Sequence, residues 1–368
     1  MKKYLLEISL LFVIVFVISY ILTILMKKVA HNIKAMDIPK DDRRVHNKPI
    51  PRLGGGAIML SLLIGYMIQG TNFGSFNAII FAAIILFLIG VVDDINSIKA
   101  KHKFLGQILV SIIAVAYGKV LLDSISIFGL EINFGIYAYP LTVIFLVSCI
   151  NIINLIDGLD GLAGGISFIF FGTIAIISLL LNRFNTPEIV LSVIMMGSIL
   201  GFLCHNFHPA SIFAGDSGSM LMGYMIGVVS LLGYKGAMFG SILTPITIIF
   251  IPVIDTTFAI LRRKLNHHPV FEADKNHLHH QLLKKNLGQT KTVLIIYAIC
   301  ILFSLTSILK IYNSKISIIL YVILALLLCY FIMFTNILFD KSKKKKDKWY
   351  NINRRLLWKL ISEEKTSR

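Results

Sequence analysis

The chain has 368 residues, 56% of them hydrophobic, a mean hydropathy of +0.80 and a formal net charge of +17 at pH 7. That apolar content excludes an ordinary soluble domain, and the positive charge needs no nucleic-acid partner once lysine and arginine are taken as a topology signal. Apolar blocks of about 15 to 25 residues match the ~30 Å hydrocarbon core of a bilayer. In chain order they predict membrane helices at 4–26, 56–70, 77–92, 104–122, 138–156, 164–181, 188–204, 218–234, 237–261, 292–310 and 316–338. The expected fold class is all-α: a polytopic integral membrane protein of about eleven transmembrane helices. A single integral domain, 1–338, is expected to be followed by a basic amphipathic tail, 339–368.

The first segment outruns a signal-peptide core and ends in Lys27-Lys28 without a small-residue cleavage site, so it is expected to stay as a helix. The segment 104–122 is the weakest, being interrupted by Gln107 and Lys119. Eleven spans put the loops 27–53, 93–103, 157–163, 205–217 and 262–291 and the tail on one side, with 29 of the 36 lysines and arginines. The positive-inside bias makes that side cytoplasmic, with the amino terminus outside and the carboxyl terminus inside. The tail joins KSKKKKDK to WYNINRRLLWKLI, a pattern suited to the surface of an anionic inner leaflet. Cys149, Cys204, Cys300 and Cys329 lie in or at the ends of apolar segments without a CxxC pair, and read as buried small hydrophobes.

On this topology the chemistry collects on one face. Asp93 and Asp94 close the third segment, Asp157 and Asp160 follow the fifth, and Asp216 precedes the eighth. All ten histidines fall on the same side. Ionisable residues at membrane spans are costly and mark functional sites. Arg52, in the proline-stiffened stretch from Lys48, is a candidate phosphate ligand, since a guanidinium fork matches phosphate oxygens. The glycines at 54–56 fit helix packing equally well. Adjacent carboxylates at Asp93-Asp94 repel unless a cation is near, and Lys99, Lys101 and Lys103 follow at once. Asn154, Asp157 and Asp160 are spaced to share one helix face, and glycines 158, 161, 164 and 165 allow close backbone approach. Asp216 suits a helix N-cap or a metal ligand. Asn206, His208 and Phe213, just upstream, could contact a nucleotide base. In 262–291, His277, His279 and His280 suit phosphate or sugar better than zinc, with a plain solvated loop as the alternative. Asp255, about two turns inside the ninth segment, could reach Arg262, face the cavity or make a structural contact, and the roles of Arg262 and Arg263 stay open.

Five ordered motifs, RVHNKPIPRLGGG, GVVDDINSIKAKHK, NIINLIDGLDGLAGG, NFHPASIFAGDSGS and FEADKNHLHH, span roughly residues 35–291. Over them the chain resembles the polyprenyl-phosphate N-acetylhexosamine-1-phosphate transferases, glycosyltransferase family 4. The resemblance implies a Mg²⁺-dependent enzyme, with Mn²⁺ as an alternative ion, of the bacterial plasma membrane. It would pass a sugar 1-phosphate from a UDP-sugar donor to a polyprenyl phosphate acceptor and release UMP. It implies Asp93, Asp94 and Asp157 as catalytic residues, Asp93 being the candidate base, and Asp216 with Asn154 at the metal. Asp160, Asn206 and Phe213 would bind the nucleoside, and Lys48, Arg52, Lys101, Lys103, His277, His279 and His280 would complete the substrate site. The pattern His277-Leu278-His279-His280 and the RLGGG stretch are similar to the N-acetylglucosamine branch, whereas the muropeptide branch tends to three consecutive histidines. The expected donor is therefore UDP-N-acetylglucosamine and the acceptor undecaprenyl phosphate, starting a surface polymer such as teichoic acid. The alternatives are a muropeptide donor or, in another class, a secondary transporter. A homodimer is one option for assembly.

Overall fold

The computed structural model describes residues 2–39, 49–70, 74–127, 130–235, 243–265, 278–284 and 287–335. Lys48, His277 and the predicted tail 339–368 lie outside the described residues. The helices are α1 (Lys2–Asn32), α2 (Gly54–Gln69), α3 (Phe76–Ile95), α4 (Ala100–Ala116), α5 (Ala138–Ile156), α6 (Leu162–Leu180) and α7 (Pro187–Asn206). They continue with α8 (Gly215–Lys235), α9 (Leu243–Ile248), α10 (Phe250–Leu265), α11 (Leu278–Lys284), α12 (Gln289–Tyr312) and α13 (Ser314–Thr335). An apolar run away from water must satisfy its backbone internally, and a helix does so within one segment. Hydroxyls inside the helices follow the same logic. Ser61, Ser111, Thr142 and Ser230 each donate to the carbonyl four residues back.

Six of the described helices are long and apolar enough to cross a membrane: α1, α3, α5 with the turn before it, α6, α7 and α12. Of the other five predicted segments, 316–338 falls on the apolar helix α13, and four depart from a single long apolar helix among the described residues. Helix α2 has 16 residues. Helix α4 has 17 and carries Lys101, His102 and Lys103 in its first turn. Helix α8 has 21 residues, with Asp216 in its first turn and glycine and serine along its length. The predicted segment 237–261 is not one helix, because α9 stops at Ile248 and α10 starts at Phe250. Pro252 has no amide to give Ile248, and its ring crowds that carbonyl, so the break falls where a proline four residues on dictates.

Helix α8 is the hub, lined by α2, α3 and α5, while α6 packs between α7 and α12, and α1 lies across α7 and α2. In α6 and α7, 72% of the span window is buried, against 28% in α1, which places α1 at the rim. Leu6, Met67, Leu88 and Leu109 point outward from rim helices, as lipid-facing residues do. Where α3 crosses α8, Gly90 allows contact of the two backbones. A Cβ there would overlap the Ser217 backbone.

Two short hairpins interrupt the helical fold. Strand β1 (Met36–Asp37) pairs antiparallel with β2 (Ile50–Pro51), Met36 opposite Pro51. Strand β3 (Ser124–Ile127) pairs with β4 (Leu130–Asn133) between α4 and α5. Among the cysteines, Cys149 and Cys300 are buried as expected, but Cys204 is exposed.

Candidate active site

The ends of α1, α3, α5 and α7 and the starts of α2, α4, α6, α8 and α12 meet at one end of the bundle, joined by the bonds described below. Chain alternation does the sorting: each loop there follows a helix that arrives and precedes one that departs. The stretch from Pro51 to Gly55 is stitched to both sides. Arg52 N–H donates to the Ala35 carbonyl at 2.9 Å, Phe213 N–H to the Pro51 carbonyl at 2.8 Å, and Gly54 and Gly55 N–H to the Phe213 and Ala214 carbonyls at 2.9 Å. This backbone lattice sets Arg52 beside the start of α8.

Gly215 starts α8 at φ +70°, a conformation that favours glycine, and a side chain there would also strike the Asp94 carboxylate. Asp94 is buried and serves α8 as a cap delivered by α3. Its Oδ1 accepts from Asp216 N–H at 2.8 Å, and its Oδ2 from Ser217 N–H at 3.1 Å and the Ser217 hydroxyl at 2.7 Å. The first amides of a helix lack internal partners, so a carboxylate there is doubly favoured. Arg52 Nη2 lies 3.5 Å from Asp94 Oδ1 and 3.4 Å from Asp216 Oδ1. Lys103 bridges the other side, pairing with Asp93 Oδ2 at 3.1 Å and with Asp216 Oδ2. Asp93 also accepts from Ile98 N–H at 2.9 Å. The predicted aspartate pair and Asp216 therefore form one network with Arg52 and Lys103.

Asp157 and Asp160 do not share a helix face. Helix α5 ends at Ile156, Asp157 caps it, and the chain turns through Gly161 (φ +78°) into α6. Helical spacing does not apply here, because the chain leaves the helix at Asp157 (φ -74°, ψ 53°) and re-enters one only after Gly161. The two carboxylates are separated in role. Asp160 turns to the 207–213 loop, its Oδ2 accepting from Ala210 N–H at 3.0 Å and lying 2.8 Å from His208 Nδ1. Among the described residues no donor is bonded to the Asp157 carboxylate. Asp157 is half-buried as a residue, yet enough protein surrounds its carboxyl that burial pushes its proton affinity up to about 7. Arg52 opposes the rise, and Asp94 and Asp160 add to it.

Asn154 donates to the Ser219 hydroxyl at 2.8 Å, and Ser219 donates to the Gly215 carbonyl at 2.9 Å, so α5 is pinned to the first turn of α8. One turn deeper, Gln107 and Asn151 exchange amide hydrogen bonds. Gln107, which weakened the predicted fourth segment, is thus paired. Asn206 is buried between the loops, accepting from Gly161 N–H at 3.0 Å and donating to the Ile212 carbonyl at 2.9 Å. It holds the walls of the site together. Phe213 is half-buried. Lys101 is exposed on α4, two residues before Lys103. His279 and His280 belong to α11, whose Leu278 N–H donates to Asp255 Oδ1 at 2.8 Å. Asp255 thus makes a structural contact, one of the options its sequence left open. His208, a candidate base contact with Asn206 and Phe213, stands at Asp160; Ser217, Ser219 and Tyr297 were not among the candidates. The serines were legible in GDSGS, whereas Tyr297 carries no local signal.

Four carboxylates, Asp93, Asp94, Asp157 and Asp216, surround two cations, Arg52 and Lys103. That excess of negative charge fits a divalent ion. Among the described residues no three acidic, histidine or cysteine side chains converge to hold one alone. Mg²⁺ takes one or two carboxylates and completes its shell with water and substrate phosphate, so this donor set suits it.

The family model described as Glycosyl transferase family 4 matches residues 76–234. The chain is 39% identical over 303 residues to a probable undecaprenyl-phosphate N-acetylglucosaminyl 1-phosphate transferase of Bacillus subtilis, covering 80% of this chain and 84% of that protein. It is 35% identical to a decaprenyl-phosphate N-acetylglucosaminephosphotransferase of Mycobacterium leprae, covering 76% and 78%. It is 28% identical to an undecaprenyl-phosphate alpha-N-acetylglucosaminyl 1-phosphate transferase of Thermotoga maritima, covering 78% and 86%.

Proposed function

The chain belongs to glycosyl transferase family 4, and on that premise we propose that it transfers N-acetylglucosamine 1-phosphate from UDP-N-acetylglucosamine to undecaprenyl phosphate. The observation that carries this is the cluster at the start of α8: carboxylates held by Arg52 and Lys103 beside a helix amino terminus. Helix amino termini and cationic side chains suit phosphate, and the reaction brings two phosphates together. The names of the relatives above favour the N-acetylglucosamine donor.

In the reaction an oxygen of the lipid phosphate attacks the donor's β-phosphorus. The bond from that phosphorus to the bridging oxygen breaks, and UMP leaves with the oxygen. Repulsion between the anions dominates the approach, so neutralisation and in-line positioning supply much of the rate. Arg52 and Lys103 provide fixed positive charge. Asp93, at the open end of α3, takes the acceptor's proton when the acceptor phosphate arrives protonated. Asp160 and the 207–213 loop form the nucleoside side, and Asp157 with Asp216 and Asn154 would hold Mg²⁺. A bound Mg²⁺, or Mn²⁺ in its place, supplies Lewis-acid stabilisation of phosphoryl oxygens.

The topology we propose has about eleven crossings, with the site on the cytoplasmic face, where a nucleotide donor and a membrane-borne acceptor meet. The product would be the first lipid-linked unit of a surface polymer such as teichoic acid. Carboxylates at helix ends speak against a transporter, which places its ionisable ligands near the midplane. Purified protein given UDP-N-acetylglucosamine, undecaprenyl phosphate and Mg²⁺ should release UMP. Release should fall to background with EDTA, in Asp216→Asn, and when UDP-N-acetylmuramoyl-pentapeptide replaces the donor. Equal turnover of the muropeptide donor would reassign the branch, and no release with either donor would overturn the reaction.

A further inference from the structure

Tyr297 stands in the third turn of α12, outside the stretch 76–234 covered by the family match. Its hydroxyl donates to the Gly161 carbonyl, at the end of the turn that carries Asp157 and Asp160. The same oxygen receives the Gly165 amide at 2.8 Å, in the first turn of α6. A carbonyl has two lone pairs, so both bonds form together. Because Gly165 already satisfies this carbonyl, the tyrosine bond is not needed to offset its burial. What it adds is a fixed spacing between α12 and the turn. Gly165 makes that spacing attainable, since a Cβ there would collide with the Tyr297 ring and hydroxyl. On the other side of the same peptide segment, Gly161 N–H is held by Asn206.

The geometry points to Tyr297 as a positioning residue of the donor site: its hydrogen bond to Gly161 sets where that end of the 157–161 turn, and with it Asp160, stands against the 207–213 loop. Two features separate this from simple packing. A phenylalanine would fill the same space and need no acceptor. The turn leaves the helix at Asp157, so its placement depends on contacts to the Gly161 N–H and carbonyl and on those of Asp160. Helix α11, which carries His279 and His280, packs against α12. The tyrosine therefore links the turn to the helix that also supports the histidine segment.

The inference rests on the proposed donor, and its test has a readout independent of that donor. In the full-length protein, Tyr297→Phe should raise the KM for UDP-N-acetylglucosamine about 5- to 10-fold, the worth of roughly one hydrogen bond. The kcat should stay within about twofold, and the KM for undecaprenyl phosphate should not move, since the hydroxyl meets the donor-side turn at Gly161 and the adjoining first turn of α6 at Gly165. Amide hydrogen exchange should quicken at 157–161 and not elsewhere in the bundle. Gly165→Ala should reproduce this pattern by displacing the ring, and the double variant should be no worse than the more impaired single one. Unchanged exchange in the turn, or an equal rise in both KM values, would overturn the assignment. If wild-type protein releases no UMP from UDP-N-acetylglucosamine, the proposed reaction falls, and the exchange comparison still decides the role of Tyr297.

Discussion

Asp94 belongs to α3 but satisfies the first amides of α8, while Asp157 has no bonded donor among the described residues, so removal of the two carboxylates should have opposite physical consequences. Asp94→Asn turns an amide donor toward groups that are themselves donors and should cost about 1–3 kcal/mol. The expected result is a lower melting temperature of detergent-solubilised protein together with loss of UMP release. Asp157→Asn should abolish turnover while leaving the fold intact. Its sign with pH follows from the raised proton affinity. Asp157 keeps its proton in the folded chain up to about pH 7, whereas the unfolded chain loses it in the ordinary carboxylate range. The resulting stabilisation is present in acid and lost as pH rises toward 7. In EDTA, the wild-type melting temperature should therefore decline between pH 5 and pH 8 more steeply than that of Asp157→Asn. Parallel curves would show that the carboxyl titrates normally. Lys103 bridges Asp93 and Asp216, and Lys103→Met should lower kcat/KM by on the order of 10²-fold, as loss of a charge-stabilising group does.

The helices place these groups by where they stop. The crossing of α3 and α8 is as close as backbone allows, and Gly90→Ala puts a methyl group against the Ser217 backbone. It should destabilise by about 1–3 kcal/mol through overpacking and misplace Asp94 and Asp216 together. A melting curve and UMP release measured on one preparation should fall in step. Most helices were legible as apolar blocks, and the break at 248–250 could have been inferred from Pro252 alone. The error over Asp157 and Asp160 was of another kind. Helical spacing does not hold in a stretch where the helix ends at Asp157 and the next begins after Gly161, and only the turn shows that Asp160 faces His208 and Ala210 while Asp157 stays on the side of Arg52.

For the whole molecule, the alternating direction of the helices brings residues from 52 to 297 to one end, and the lysine and arginine bias predicts that this end is cytoplasmic. Cysteines introduced at two exposed turns test the prediction: Ser97, between α3 and α4, and Gly74, between α2 and α3 at the other end. A membrane-impermeant maleimide should label Gly74→Cys in intact cells and Ser97→Cys only in inverted vesicles, and the reverse pattern would invert the topology. The amino-acid sequence by itself determined the helical class, the expected sidedness of the acidic motifs and the family, because bilayer-length apolar runs, charge bias and ordered motifs are all local along the chain. Pairing was left to the tertiary structure. Lys103 lies ten residues from Asp93 and 113 from Asp216 yet bridges both, and Tyr297 reaches Gly161 across 136 residues. Contacts between distant positions arise only when helices pack, so no local pattern records which carboxylate a cation holds or which turn a tyrosine fixes.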